Sequence, residues 1–174
     1  KGHFAMHTTQ RCHPLTVLDD CSRFLIGLQA CSNEQTTTVQ HCLYEAFSIH
    51  GLPQEILCDN GSCWGKLPAE HTQLTVWLLR LGVRVIHGRP FHPQTQGKDE
   101  RFHRTLKADL LARHDWPDLL ATQRRFDDYR RLYNYERPHQ AIGMEVPAER
   151  YRTSARGMPS QVSSPEYATG ESVR

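Results

Sequence analysis

Two carboxylates stand where chemistry on a charged substrate needs them. Asp59 closes the apolar run Glu55-Ile56-Leu57-Cys58 and precedes Asn60-Gly61-Ser62, so it falls where a short strand gives way to a turn. Glu100 lies further on, inside the charged stretch KDERFHRTLK (98–107), which follows the proline-broken segment RPFHP (89–93). Carboxylate oxygens are hard ligands for Mg²⁺ or Mn²⁺, and two such ions about 4 Å apart stabilise both the entering and leaving oxygens of a phosphodiester displacement. Singly, Asp59 is an ordinary turn residue and Glu100 an ordinary solvated helix residue. Their joint placement beside a basic segment is what suggests phosphodiester chemistry.

The charge distribution favours the same substrate class. Net charge is only +2, from 21 Lys+Arg and 19 Asp+Glu. Residues 80–113, however, carry 8 basic against 3 acidic side chains, whereas 1–79 carry 4 against 7 and 114–174 carry 9 against 9. A phosphate-facing surface is therefore expected to centre on the middle segment. Within it, Phe102, Leu106 and Leu110 recur at helical spacing and form the stripe that packs. At 100° per residue Glu100 lies about 160° from Phe102, and Arg104 and Lys107 fall within about 40° of Glu100. The carboxylate and two cations thus share the flank turned away from the core.

The elements that must carry these groups can be read in chain order. Residues 1–7 look like a strand end and the turn leaving it. Residues 14–19 and 23–30 are β-branched and apolar runs joined by Asp20-Cys21-Ser22, a hairpin of two antiparallel strands. Residues 35–50 read as a helix with Val39, Leu43, Ala46, Phe47 and Ile49 on its apolar positions and a stop at Gly51. Residues 55–58 make a short, fully buried, parallel strand, 71–81 a second helix and 83–87 a further strand. A helix from about Thr95 to Arg113 follows, broken at Trp116-Pro117. The last long helix, 118–135, would pack through Leu119, Leu120, Phe126, Tyr129 and Leu132 and end at Arg137-Pro138-His139. A hairpin followed by strand, helix and strand gives a mixed α/β sheet with helices packed on both faces. Asp59, just past a strand's C-terminal end, is where open α/β sheets expose functional groups.

Length and composition set bounds. The 174 residues suit one domain with a tail: residues 1–151 as the core and 152–174, rich in Ser, Gly and Pro without apolar period, as a flexible C-terminal tail. The chain starts at Lys1 in what reads as the middle of a strand, which suggests a first strand that is truncated. Six cysteines without a C-x2-C pair read as reduced thiols packed in a core, favouring a cytosolic or nuclear compartment. His3, His7 and Cys12 lack the paired spacing of a zinc site. No apolar run approaches the roughly 18 residues of a membrane span.

The segments ILCDNGSCW and GRPFHPQTQGKDERFHRTLK resemble the second and third acidic motifs of the DDE transposases and retroviral-integrase-like catalytic cores. LTVLDDCSRFLIG resembles the second and third strands of those domains, and YNYERPHQAIGMEVPAERY their YN-x-x-RPH ending. The resemblance covers roughly residues 1–151 and is nearest to the IS481-like and IS3-like insertion-sequence transposases. It implies a ribonuclease-H-like fold with a mixed five-stranded sheet, in which Asp59 and Glu100 are catalytic and metal-binding residues for Mg²⁺ or Mn²⁺ in a two-metal site. It also implies a first Asp, on the first strand. No Asp or Glu precedes Asp19, so that residue is expected upstream of Lys1. Asp19 and Asp20 align with the hairpin and are better read as turn formers.

On this resemblance residues 92–97 form a loop that orders on DNA, with Gln94, Gln96 and Lys98 near the scissile phosphate and Arg104 and Lys107 on neighbouring phosphates. Arg89 is a further DNA contact, with Arg101 and His103 as weaker ones. Arg137 and His139 either touch DNA or a partner or pin the last helix. Asn60 and Gly61 would hold Asp59, the glycine supplying a positive φ or a close approach. The implied activity is metal-dependent DNA cleavage followed by strand transfer. Its partners would be transposon ends, target DNA and further copies of the chain, in the bacterial cytoplasm. A plain endonuclease and a non-catalytic DNA-binding or assembly module of the same fold are the rival readings.

Overall fold

The computed structural model describes residues 3–59, 61–65, 71–88 and 97–161, the Asp99 side chain excepted. Strands β1 (Phe4–Ala5), β2 (Arg11–Leu18) and β3 (Leu25–Cys31) pair antiparallel in that order. Strands β4 (Glu55–Cys58) and β5 (Arg84–His87) pair in parallel, with Cys58 opposite His87. Five strands with both senses of pairing are thus present, hydrogen-bonded among the described residues as a three-stranded and a two-stranded ladder. Strand β4 is less enclosed than its apolar composition suggests, because Glu55 and Leu57 are exposed.

The turn between β2 and β3 is set by its polar residues. One carboxylate oxygen of Asp19 accepts the Ser22 amide at 2.7 Å and the Ser22 hydroxyl at 2.6 Å, while Arg23 takes the left-handed φ of 66°. Asp19 is therefore a turn former, as an Asp that bonds its own backbone two or three residues on should be.

Helices cover both faces. On one, Val39, Leu43 and Phe47 of α1 (Thr36–His50) pack with Leu74 and Leu78 of α2 (Gln73–Arg80), joined by Leu15 and Val17 of β2 and by Ile56 and Val85. On the other, Cys12, Leu25 and Leu28 meet Phe102 and Leu106 of α3 (Gly97–Leu106) and Phe126, Tyr129 and Tyr133 of α4 (Leu119–Tyr135). Alternation along β2 sends Cys12 and Leu18 to one cluster and Leu15 and Val17 to the other, as the strand period requires. A one-turn helix α5 (Pro147–Arg150) ends the core.

Several expected details shift. Ile49 is 72% exposed, and Leu120 and Leu132 also face solvent. Both leucines lie about 120° around α4 from Phe126, outside the stripe that Thr122, Phe126, Tyr129 and Tyr133 make. The helix expected to run from about Thr95 to Arg113 is α-helical only from Gly97 to Leu106, and a π-helical turn, Lys107–Leu111, closes it with the Ala112 amide on the Lys107 carbonyl at 2.9 Å. Thr95 lies outside the described residues. The wider turn lets Leu110 stay buried while Asp109 is presented to Arg137.

Two further features were not expected. The outer edge of β3 is met by side chains of α4: Asn134 accepts from the Leu25 amide at 2.7 Å and donates to the Leu25 carbonyl at 3.0 Å, and Gln123 does the same for the Ala30 amide and Leu28 carbonyl at 2.8 and 3.1 Å. The segment after Tyr151, read from the sequence as the start of a flexible tail, is tied down as far as Met158. Its Ser154 amide donates to His50 O at 2.9 Å and its Arg156 carbonyl accepts from Leu52 at 2.7 Å. The Arg156 guanidinium reaches the carbonyls of Pro53, Leu81 and Gly82 at 2.6, 2.9 and 2.9 Å, and Met158 packs against the α1/α2 cluster. Gly51, with φ of 77°, allows this close approach; a Cβ there would lie 2.5 Å from Ser154 O. Residues 162–174 lie outside the described residues.

Candidate functional site

Asp59 is the first residue beyond β4, half-buried at the C-terminal edge of the parallel pair. Because Cys58 is in register with His87, the two strands end together, and the Gly88 amide donates to the Cys58 carbonyl at 3.1 Å. Asp59 Oδ1 accepts the Gly61 amide at 3.0 Å. A Cβ on Gly61 would sit 3.0 Å from that same oxygen and 3.5 Å from Trp64, so close approach rather than a positive φ is what glycine supplies here. The chain then turns, with the Trp64 amide on Gly61 O at 3.0 Å. The Thr72 hydroxyl, which caps α2 by accepting from Thr75, donates to Cys63 O at 2.7 Å and anchors the far side of this loop. Asn60 lies outside the described residues.

The neighbouring thiols are poor competitors for a cation. Burial first, and the Asp59 charge second, push the Cys58 thiol up to about 12 and raise that of Cys63. At neutral pH both stay protonated, so oxygen is the donor this corner offers, and oxygen suits a hard divalent ion.

Glu100 projects from α3 and is exposed, as are Arg104 and Lys107. Among the described residues none of these three side chains has a hydrogen-bond or ion-pair partner, so the flank predicted from helical spacing is open. Their opposite numbers Phe102, Leu106 and Leu110 are 3%, 2% and 6% exposed, which fixes the helix in the expected rotation. Lys98 differs from expectation: its ammonium pairs with Asp20 at 2.5 Å. His103 turns toward the sheet, its Nε2 at 2.9 Å from the Thr16 hydroxyl. Arg137 pairs with Asp109, which ties the end of α4 to the π turn. Arg89, Gln94 and Gln96 lie outside the described residues.

Asp59 follows β4 directly, and Glu100 lies on α3, the element next after β5 in chain order. Among the described residues no group of three or more His, Cys, Asp and Glu side chains forms a metal site. Both carboxylates offer the oxygen donors that Mg²⁺ or Mn²⁺ takes. Sequence reasoning missed Asn134 and Gln123. The signal was available: two amides eleven residues apart fall about 20° from each other on a helix, close to an apolar stripe.

Two profiles of the integrase core domain match the chain, one over residues 2–93 and the other over 81–147. An insertion element IS476 protein of 39.2 kDa from Xanthomonas euvesicatoria is 27% identical over 154 residues, covering 86% of this chain and 42% of that protein. A putative transposase InsD for insertion element IS2E of Escherichia coli is 32% identical, covering 59% of this chain and 45% of that protein. The Pol-related polyprotein of a mouse intracisternal A-particle is 36% identical over 95 residues, covering 54% of this chain and 10% of that protein. The chain thus spans less than half the length of these relatives. Among solved structures, a simian T-cell lymphotropic virus intasome chain superposes with a TM-score of 0.69 at 16% identity, covering 99% of this chain and 58% of that one. The catalytic core domain of BIV integrase superposes with a TM-score of 0.61 at 23% identity, covering 85% of this chain and 88% of that one. The likeness is one of fold: a mixed α/β, ribonuclease-H-like domain.

Proposed function

Because the chain belongs to the integrase core domain family, we propose that it is the catalytic core of an insertion-sequence transposase, a polynucleotidyl transferase that cuts DNA and joins the freed 3′-hydroxyl to a target strand. The observation that carries this reading is the register of β4 and β5. It brings Asp59 to the strand ends from which the chain runs on to α3, where Glu100 stands with two open cations on its flank. Insertion-element and retroviral polyprotein relatives support the same class.

In this mechanism Asp59 and Glu100 would hold Mg²⁺ or Mn²⁺ through their carboxylate oxygens. Such ions, when bound, stabilise charge on the entering and leaving oxygens. Gly61 fixes one oxygen of Asp59 through its amide and leaves the other to bind. Arg104 and Lys107 hold backbone phosphates and align the strand, with Lys98, Arg89, Gln94 and Gln96 nearer the bond that reacts. Binding that depends on phosphate contacts falls steeply with salt. Two element ends must meet for joining, which calls for more than one copy of the chain; a related integrase core has been solved with magnesium in a trimeric form. No helix among the described residues is long and apolar enough to cross a membrane, and the reading sets the work on bacterial DNA in the cytoplasm.

The test is a cleavage and joining assay on labelled DNA with Mg²⁺ or Mn²⁺, using the full-length protein. Asp59→Asn and Glu100→Gln should each abolish both products while leaving DNA binding in place. Undiminished products in both variants would sink the assignment. Cleavage without joining would identify a plain endonuclease, and binding without either a non-catalytic module.

A further inference from the structure

A second cleft gathers cations of which the proposed cleavage site uses Lys98 alone. A cavity of about 370 Å³ opens between the start of α3, the β2–β3 turn and the segment after α4. Arg23, Lys98, Arg101, Arg137 and His139 stand on its wall with Tyr133, and among the described residues no acidic side chain does. The volume equals that of roughly twelve waters at about 30 Å³ each, enough for a phosphate group with part of its sugar.

The charges are held rather than loose. Arg23 is bonded to the Asp20 carbonyl, and Arg137 is paired with Asp109. The His139 ring lies against Tyr133 at 4.5 Å. Asp20 and Asp109 approach from outside the wall and offset part of the four cations, leaving a positive remainder. Arg101 has no hydrogen-bond or ion-pair partner among the described residues. His139 Nε2 is buried and likewise finds none, which is the condition of a polar atom waiting for a ligand. Burial pushes this imidazole's pKa down, against a hydrogen bond to the Tyr133 backbone, so Nε2 donates to a phosphate oxygen once the ring takes up a proton beside the bound anion. A cleft lined by one sign of charge, with low-dielectric walls, concentrates the opposite sign.

We infer that this cleft is a phosphate-binding site, and that its ligand is a backbone phosphodiester of bound DNA lying away from the bond that reacts. Only the source of the phosphate rests on the strand-transfer reading. Around α3, Arg101 and Thr105 lie about 100° and 140° from Glu100, whereas Arg104 lies about 40° away. The helix would then grip nucleic acid on two flanks, one at the reacting phosphate and one beside it.

Arg101→Gln tests this, because Arg101 is exposed and anchors nothing else. Two probes are used on the full chain: a short labelled duplex followed by fluorescence anisotropy across a salt series, and inorganic phosphate followed by the NMR shift of the His139 ring. The variant should bind duplex about fivefold more weakly, with a salt slope smaller by about 1, and should lose the phosphate-induced shift. Arg101→Lys should restore most of both. Loss of the phosphate shift with unchanged duplex binding would overturn the DNA source and leave a site for free phosphate. Wild-type chain that binds inorganic phosphate here but no duplex would overturn the strand-transfer reading and keep the site. If neither probe responds to Arg101→Gln, there is no phosphate site in the cleft.

Discussion

Lys98 and Asp20 form an ion pair, at 2.5 Å, that links the β2–β3 turn to the first turn of the helix bearing Glu100. Both side chains are well exposed, so the pair adds little to stability. Its effect is on charge, since the carboxylate occupies a cation suited to phosphate. Asp20→Asn should therefore tighten DNA binding by about twofold at low salt and change the unfolding midpoint little. Anisotropy titrations at two salt concentrations check this; weaker binding in the variant would show that Asp20 positions Lys98 rather than competing for it.

Gly61→Ala should impair cleavage more than stability. The new methyl would press on Asp59 Oδ1 at 3.0 Å and force the carboxylate or the loop to move by a few tenths of an ångström. On the proposed reading this oxygen's neighbour holds the metal, and a displacement of that kind costs on the order of tenfold in rate. Cleavage rates beside urea unfolding curves separate the two effects, and wild-type cleavage in the variant would show that Asp59 needs no such support.

Asn134→Leu should cost about 2–4 kcal/mol of stability, since the Leu25 amide and carbonyl lose their partners in a buried place. Asn134→Asp should also destabilise, because a carboxylate accepts from the amide but cannot donate to the carbonyl. Gln123→Ala, at a part-buried position, should cost less. Urea denaturation of the three variants gives the order directly.

Acid should weaken the fold in two stages. His50 and His139 titrate below the ordinary 6.5, burial being the first cause in each. As pH falls through 6.5 the unfolded chain takes up protons that the folded imidazoles refuse, so stability declines until their lower folded values are passed. Glu34, bonded to His13, and Glu145, bonded to Arg150, are held below 4.5, and their share is lost as pH drops through that lower range. Urea midpoints measured from about pH 8 to 2 should fall in both windows, and His139→Gln should flatten the upper one. Equal midpoints at about pH 7.5 and 5.5 would contradict the account.

The sequence was most legible where one local rule decides. Phe102, Leu106 and Leu110 set the rotation of α3 by spacing alone, and Asp59 was placed at a strand end by the turn chemistry of Asn60-Gly61. Legibility failed where contacts distant in sequence decide. Nothing near Arg156 announces that its guanidinium will cap the ends of β4's approach and of α2, and a Ser- and Gly-rich stretch with no apolar period reads as tail. Lys98 looked free for phosphate because its partner, Asp20, lies far away in the sequence. Leu120 and Leu132 were assigned to the core by type, whereas the phase of Phe126 and Tyr133 turns them outward.

The amides of Asn134 and Gln123 have a consequence for how copies of this chain can meet. An outer strand with free amides and carbonyls is a template on which another strand can grow, in assembly or in aggregation. Here that template is already occupied at Leu25, Leu28 and Ala30 by the chain's own helix. Neighbouring copies therefore cannot fuse their sheets through β3. Whatever brings them together uses a surface other than this edge, which the chain's own helix has already closed.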